Sequence, residues 1–157
     1  MATPDQETSG VIFPPPLIYM AGLAAGILLE MFFPIEFPSL NHRIWAIGVV
    51  IFVVGAIPGL WALVSMYRAK TSPEPWHPTR VIVSDGPYRF TRNPMYLTFS
   101  LAMLGLGLMF ANVWILLWLP IVMLVIHHGV ILREERYLER KFGEEYTRYK
   151  ARVRRWI

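Results

Sequence analysis

The sequence contains no cysteine and few charged residues. None of its 157 residues is Cys, which excludes disulfide bonds, thiolate metal sites and cysteine nucleophiles. Charged residues make up only 17% of the chain, whereas an average soluble domain has about 25%. Hydrophobic residues reach 55%. This composition argues against a soluble domain and indicates an integral membrane protein.

Four apolar runs contain most of the hydrophobic residues. They are residues 17–33, 44–67, 95–110 and 113–132. A transmembrane helix needs about 20 mostly apolar residues, so each run is close to the length that crosses a bilayer. The last two are separated only by Ala111 and Asn112, which predicts an antiparallel helical hairpin. We therefore expect an all-α membrane protein with about four transmembrane helices.

The chain divides into three regions on this pattern. Residues 1–16 form a polar N-terminal tail, which lacks the basic segment that begins a signal peptide. Residues 17–67 contain two transmembrane helices. Residues 68–157 contain a polar loop, the hairpin and a charged C-terminal segment.

Glycine and proline mark features inside the first two helices. Pro58 stands beside Gly59, which predicts a kink in the second helix. The pairs Gly22 with Gly26 and Gly55 with Gly59 have the Gly-x-x-x-Gly spacing that lets membrane helices approach closely.

Basic residues are concentrated in two blocks. Of the 15 Lys and Arg residues, five lie between Arg68 and Arg92 and nine between Arg133 and Arg155. Cytoplasmic loops of membrane proteins are enriched in Lys and Arg. We interpret the blocks as an orientation signal that places the 68–94 loop and both termini in the cytoplasm. Membrane lipids are then the expected partners, and nucleic acid is not.

The C-terminal segment has a helical pattern. Apolar and aromatic residues recur at Leu138, Phe142, Tyr146, Tyr149, Val153 and Trp156, with Lys and Arg between them. This spacing of three and four residues predicts one face of an amphipathic helix. We expect that helix to lie on the cytoplasmic membrane surface.

The hairpin is expected to bring two polar groups together. Arg89, Arg92, Asn93 and Tyr96 stand where its first helix begins, and His127, His128, Glu134 and Glu135 stand where its second helix ends, with Tyr88 nearby. Such a cluster beside apolar helices suits a charged cofactor and an apolar substrate. Each residue also has an ordinary interpretation, such as a helix cap at Asn93. Consecutive histidines on a helix point about 100° apart, so no metal site is predicted.

Two motifs carry a resemblance to a known family. The string GPYRFTRNPMY, a helical hairpin and the string EERYLERKFGEEYTRYKARVRRW follow one another. In this order they resemble the membrane-embedded S-adenosylmethionine-dependent methyltransferases, which include isoprenylcysteine carboxyl methyltransferases and phospholipid N-methyltransferases. The resemblance extends from about Arg80 to Trp156. It implies that residues 68–157 are the catalytic region, with a cofactor pocket at the cytoplasmic end of the hairpin.

The resemblance also implies roles for individual residues. Those implied to bind S-adenosylmethionine are Arg80, Val81, Ile82, Val83, Tyr88, Asn93, Pro94, Met95, Tyr96 and Glu134. Those implied to be catalytic are Arg92, Asn93, Tyr96 and Glu135. A carboxylate such as Glu134 can bind the ammonium group of the cofactor, and tyrosine rings can face its sulfonium or stack on its adenine.

Two kinds of methyl acceptor agree with the sequence, a lipid carboxylate and a lipid amine. The prenylcysteine branch usually has His at the position of Asn93 and an Arg at the position of Val130. The Asn-Pro-Met-Tyr form is typical of the phospholipid branch, whereas the segment from Phe142 to Tyr146 resembles the prenylcysteine branch. Two other interpretations are a membrane reductase of the sterol type, which would use a nicotinamide cofactor, and a membrane scaffold without enzymatic activity. The sequence leaves the oligomeric state open.

Overall fold

The computed structural model describes residues 10–11, 13–37, 42–72 and 79–157, and every element in them is helical. The α-helices are α1 (Pro15–Phe32), α2 (His42–Arg68), α3 (Pro94–Met109), α4 (Val113–Ile126), α5 (Leu132–Phe142) and α6 (Glu144–Arg152). A 3₁₀ helix covers Gly86–Arg89, and a π-helical segment, His127–Ile131, joins α4 to α5. The all-α prediction is confirmed. Most of the predicted N-terminal tail and His77 lie outside the described residues.

Three helices of the described chain are long and apolar enough to cross a membrane. They are Pro15–Phe32, His42–Arg68 and the continuous Val113–Phe142, which comprises α4, the π-helical segment and α5. The shorter α3 has 16 residues, a length of about 24 Å against a hydrocarbon core of about 30 Å. Large apolar side chains on α2, among them Val53, Ile57 and Leu60, are more than half exposed. A bilayer would cover such a surface.

Proline and asparagine mark where the helices begin. Pro15 opens α1 two residues earlier than expected, and Pro94 opens α3. Before α4, the Asn112 side-chain oxygen accepts a 2.9 Å hydrogen bond from the backbone N–H of Ile115. This cap satisfies one of the free donors at a helix start. The connection between α3 and α4 is thus as short as the sequence predicts.

Glycines let the helices pack closely in two pairs. A Cβ atom on Gly26 of α1 would lie 2.7 Å from Ile115 Cγ1 of α4. A Cβ atom on Gly55 of α2 would lie 2.6 Å from Leu101 Cβ of α3. Both Gly-x-x-x-Gly pairs lie at these contacts, since Gly22 also faces α4 and Gly59 faces α3. Helix α2 continues through Pro58 as one helix.

The core lies between α1, α3 and the long helix that begins with α4. Its buried side chains are Tyr19, Tyr96, Met103, Ile115, Val122, Ile126, Val130 and Ile131. The Tyr19 hydroxyl lies 2.9 Å from Ser100 Oγ and 3.1 Å from the carbonyl oxygen of Tyr96. These polar contacts fix α1 against the first turns of α3, so the core reaches the end of the bundle where the polar residues gather.

The prediction of one continuous C-terminal amphipathic helix is wrong, because the helix is interrupted at Gly143. Gly143 has φ +53°, and the chain divides there into α5 and α6. A positive φ is accessible to glycine at little cost and interrupts a helix. Tyr146 and Tyr149 of α6 are 2% and 5% exposed. Tyr146 and Tyr149 therefore pack against the rest of the protein.

Candidate active site

A cavity of about 140 Å³ lies at the polar end of the hairpin, between the end of α2, the start of α3, α5 and α6. Nine of the ten residues expected to bind a cofactor line it: Val81, Ile82, Val83, Tyr88, Asn93, Pro94, Met95, Tyr96 and Glu134. Arg92 lines it as well. Arg80 does not, and its backbone N–H donates to the hydroxyl of Thr71. Segments far apart in the sequence thus meet at one cavity.

Tyr96 and Glu134 connect the two ends of the hairpin across the cavity wall. The Tyr96 hydroxyl donates a 2.7 Å hydrogen bond to Glu134 Oε1. Tyr96 is 9% exposed, so the hydroxyl has little access to water. This hydrogen bond uses only one of the two carboxylate oxygens of Glu134, whose side chain lines the cavity.

Arg92 brings a buried positive charge to the cavity wall. Its side chain is 8% exposed, and Nη2 lies 3.1 Å from Glu135 Oε1. The Nε and Nη1 atoms are buried and have no hydrogen-bond partner among the residues that the structure describes. Leaving buried donors of a charged group unpaired costs free energy. The arrangement therefore favours a ligand that brings an anionic oxygen to Arg92.

Glu135 lies behind Arg92 and is absent from the cavity lining. Arg155 binds it through two hydrogen bonds of 2.8 Å, and Lys150 Nζ lies 3.8 Å from Oε2. The hydrogen bond to Glu135 raises the pKa of Arg155 above its ordinary value, despite burial. Glu135 thus contacts a set of cations, whereas the carboxylate that faces the cavity is Glu134.

Asn93 stands at the N-cap position of α3, but its side chain does not cap the helix. Its Nδ2 donates a 2.8 Å hydrogen bond to the backbone oxygen of Arg155. Thr91 Oγ1 donates to the same oxygen at 3.2 Å and accepts from the backbone N–H of Asn93. The amide therefore ties the C-terminal segment to the cavity wall.

Tyrosines from α5 and α6 complete the wall, and the sequence interpretation did not include them. They are Tyr137, Tyr146 and Tyr149. Tyr149 donates a 2.8 Å hydrogen bond to the carbonyl of Tyr88. Burial raises the pKa of Tyr149 to about 12 and also raises the pKa of Tyr88 and Tyr146. Tyr88, Tyr146 and Tyr149 are thus neutral hydrogen-bonding groups at physiological pH. Tyr146 and Tyr149 belong to the helical pattern of the C-terminal segment, which predicts one face of an amphipathic helix on the membrane surface, whereas Tyr137 lies outside that pattern.

Three residues of the predicted polar cluster stand apart from the cavity. Arg89 is exposed, and the rings of His127 and His128 contact each other edge to face at 4.8 Å in the π-helical segment. Neither histidine lines the cavity. Among the described residues, no group of three or more His, Cys, Asp or Glu has the arrangement of a metal site.

Comparisons with known proteins point to one family. The sequence model of the family described as phospholipid methyltransferase matches residues 44–145, which include most of α2, all of α3, α4 and α5, and the cavity-lining residues except Tyr146 and Tyr149. An uncharacterized protein of Haemophilus influenzae is 49% identical over 63 residues, which are 40% of this chain and the full length of that relative. No solved structure gives a significant match.

Proposed function

Because the chain belongs to the phospholipid methyltransferase family, we propose that it transfers a methyl group from S-adenosylmethionine to a lipid-like acceptor. The observation that carries the proposal is the meeting of Tyr96, Glu134 and Arg92 at one cavity. Membership of the family supports methyl transfer by this chain, and the cavity provides a mainly apolar pocket with a few polar groups at the end of apolar helices.

The charged and apolar groups around the cavity suit the groups of S-adenosylmethionine. This cofactor has a sulfonium, an ammonium, a carboxylate and an adenine. Glu134 would bind the ammonium, and the unpaired N–H groups of Arg92 would bind the carboxylate. Val81, Ile82 and Val83 form an apolar wall for the adenine. When bound, the cofactor supplies a methyl group activated by the positive sulfur.

The residues of the chain contribute mainly by holding the two reactants in place. Well-oriented reactants reach effective molarities of about 10⁵ M or more. Tyr96 fixes the Glu134 carboxylate through its hydroxyl, and Glu135 fixes the Arg92 guanidinium from behind. The buried tyrosines limit the access of water. An acceptor carboxylate would need no proton removal, whereas an ammonium acceptor would have to lose one proton.

The proposal includes an arrangement of the chain in the membrane. We propose four crossings, with α3 as the shortest, and a cavity that faces the cytoplasm together with both termini. The hydrogen bond from the backbone N–H of Arg92 to the carbonyl of Arg154 supports this, because it places one basic residue from each block at the same end of the bundle. The acceptor would then reach the cavity from the surrounding lipid.

The decisive experiment is methyl transfer from labelled S-adenosylmethionine into a total lipid extract, with the purified protein in a lipid bilayer. We expect label in one lipid class. Mass spectrometry would then identify the labelled lipid as a methylated amine or as the methyl ester of a carboxylate. Thermal stabilisation by S-adenosylhomocysteine and by NADPH should be compared in the same preparation. Stabilisation by NADPH alone would indicate a reductase, and no response to either cofactor, with no labelled lipid, would indicate a scaffold.

A further inference from the structure

The segment after α6 returns to the start of α3 and is held there by its backbone. The N–H of Arg92 donates to the carbonyl of Arg154 at 3.0 Å. The carbonyl of Arg155 accepts from Thr91 Oγ1 and Asn93 Nδ2. These bonds anchor the segment without using any arginine side chain of residues 154–155.

The Arg155 side chain has a separate partner. Its Nε and Nη2 atoms donate to Oε1 and Oε2 of Glu135, each at 2.8 Å. The Glu135 side chain is only 7% exposed. A bidentate pair between a guanidinium and a carboxylate fixes the plane of the carboxylate as well as its distance. Glu135 is therefore held in one orientation by Arg155.

That orientation is transmitted to Arg92. Glu135 Oε1 accepts from Arg155 and also lies 3.1 Å from Nη2 of Arg92. Lys150 is a weaker alternative partner, because it lies 3.8 Å from Glu135 and contacts Glu139 more closely. Without Arg155, the carboxylate would be free to turn toward Lys150 and release Arg92.

We propose that Arg155 is a positioning residue for methyl transfer, which orients Arg92 at the cavity wall by holding both oxygens of Glu135. The inference rests on the proposed function. It assigns to the C-terminal segment a part in the reaction, although Arg155 itself does not line the cavity.

The test compares R155Q with R155K and with R152Q in steady-state methyl transfer. Arg152 is exposed and donates to a carbonyl of its own helix, so R152Q makes the same chemical change away from Glu135. We expect kcat/KM to fall roughly tenfold to a hundredfold in R155Q, as for a misplaced site residue. R155K should recover part of the rate, and R152Q should match the wild type. Thermal unfolding of R155Q should occur at a lower temperature than that of R152Q, because Glu135 loses two hydrogen bonds. The backbone anchors remain, so R155Q should still be folded at the assay temperature, and rates are compared per folded protein.

A double variant separates positioning from a general structural effect. E135Q lacks the carboxylate through which Arg155 orients Arg92. The double variant E135Q/R155Q should therefore have a kcat/KM only slightly below that of E135Q alone. Full additivity of the two losses would overturn the proposal. So would a rate loss in R155Q that only follows a loss of folded protein, or an equal rate loss in R152Q.

A second measurement does not depend on methyl transfer. Phenylglyoxal modifies accessible arginines, and peptide mass spectrometry can follow its reaction at Arg92. The rate should rise severalfold in R155Q and stay unchanged in R152Q, because Glu135 no longer holds Arg92 in place. If no variant transfers methyl groups but this difference is found, the proposed function fails and the positioning contact stands. An unchanged Arg92 rate in R155Q would overturn the positioning contact itself.

Discussion

The hydroxyl of Tyr96 donates a 2.7 Å hydrogen bond to Glu134, a residue 38 positions later in the chain. This bond joins the first turn of α3 to α5, and both residues line the cavity. Because the hydroxyl is buried, removal of either partner leaves the other without its hydrogen bond, at a cost of about 1–3 kcal/mol. The hydrogen bond between Tyr96 and Glu134 therefore holds the start of α3 against α5 and fixes part of the cavity wall.

The E134Q variant should lose cofactor affinity while it stays folded. The amide keeps the size of the side chain and can still accept from Tyr96, but it has no charge to pair with an ammonium. A hydrogen bond to a charged group contributes about 1.5–3 kcal/mol, so affinity for S-adenosylhomocysteine should fall roughly tenfold or more. Calorimetric titration measures this, with the exposed Glu145 changed to Gln as the control. Equal affinity in E134Q and wild type would contradict the assignment.

The Y96F variant should reduce turnover more than it reduces the yield of folded protein. The ring still fills its place in the core, but Glu134 loses the donor that fixes it. Initial rates per folded protein should fall, with a loss of about 1–3 kcal/mol in the free energy of unfolding. The control is Y67F, since Tyr67 is 85% exposed. A rate per folded molecule equal to that of Y67F would argue against a role for the hydroxyl.

The G48A variant should destabilise the contact between α2 and α3. A Cβ atom at this position would lie 2.8 Å from the backbone oxygen of Gly105, so the helices must separate. Overpacking of this kind costs about 1–3 kcal/mol. The matched control is G129A, because a Cβ atom there meets nothing within 4 Å. Thermal unfolding in detergent should give a lower midpoint for G48A than for G129A, and equal midpoints would refute close packing at Gly48.

Stability should decline at alkaline pH because of the buried tyrosines. The pKa of Tyr149 is about 12 in the folded protein against an ordinary value of 10.0. The unfolded chain therefore loses this proton first, and stability that is present below pH 10 is lost as the pH rises toward 12. Unfolding midpoints between pH 8 and about pH 11.5 should fall less steeply for Y149F than for wild type or Y67F. Identical slopes for Y149F and wild type would exclude this contribution.

The sequence predicted the helices and the convergence of the hairpin ends because both follow from local pattern. The backbone groups of a long apolar run in a membrane can all be hydrogen-bonded within the run only if it is a helix. The connection at Ala111 and Asn112 is so short that the two helices it joins must be antiparallel. Tyr96 and Glu134 lie at the ends of those runs. Their proximity is therefore a consequence of helix lengths that the sequence displays.

The part played by the C-terminal segment could not be predicted from local pattern. A three-and-four spacing of aromatic residues identifies a helix face but does not say what covers it. The positive φ of Gly143 redirects the chain, and Asn93 bonds to Arg155 across 62 positions. A contact at that separation depends on where the whole segment packs, and no periodicity in the sequence records it.

The position of Arg155 so late in the chain has a consequence for biosynthesis. The apolar helices are made first and can enter the membrane while α6 is still being translated. The charge cluster around Glu135 is complete only when residue 155 has left the ribosome, since Arg155 supplies two of its bonds. A nascent chain would therefore be anchored before it is active. Removal of the residues after α6 would likewise leave the apolar helices in place without the two hydrogen bonds that hold Glu135.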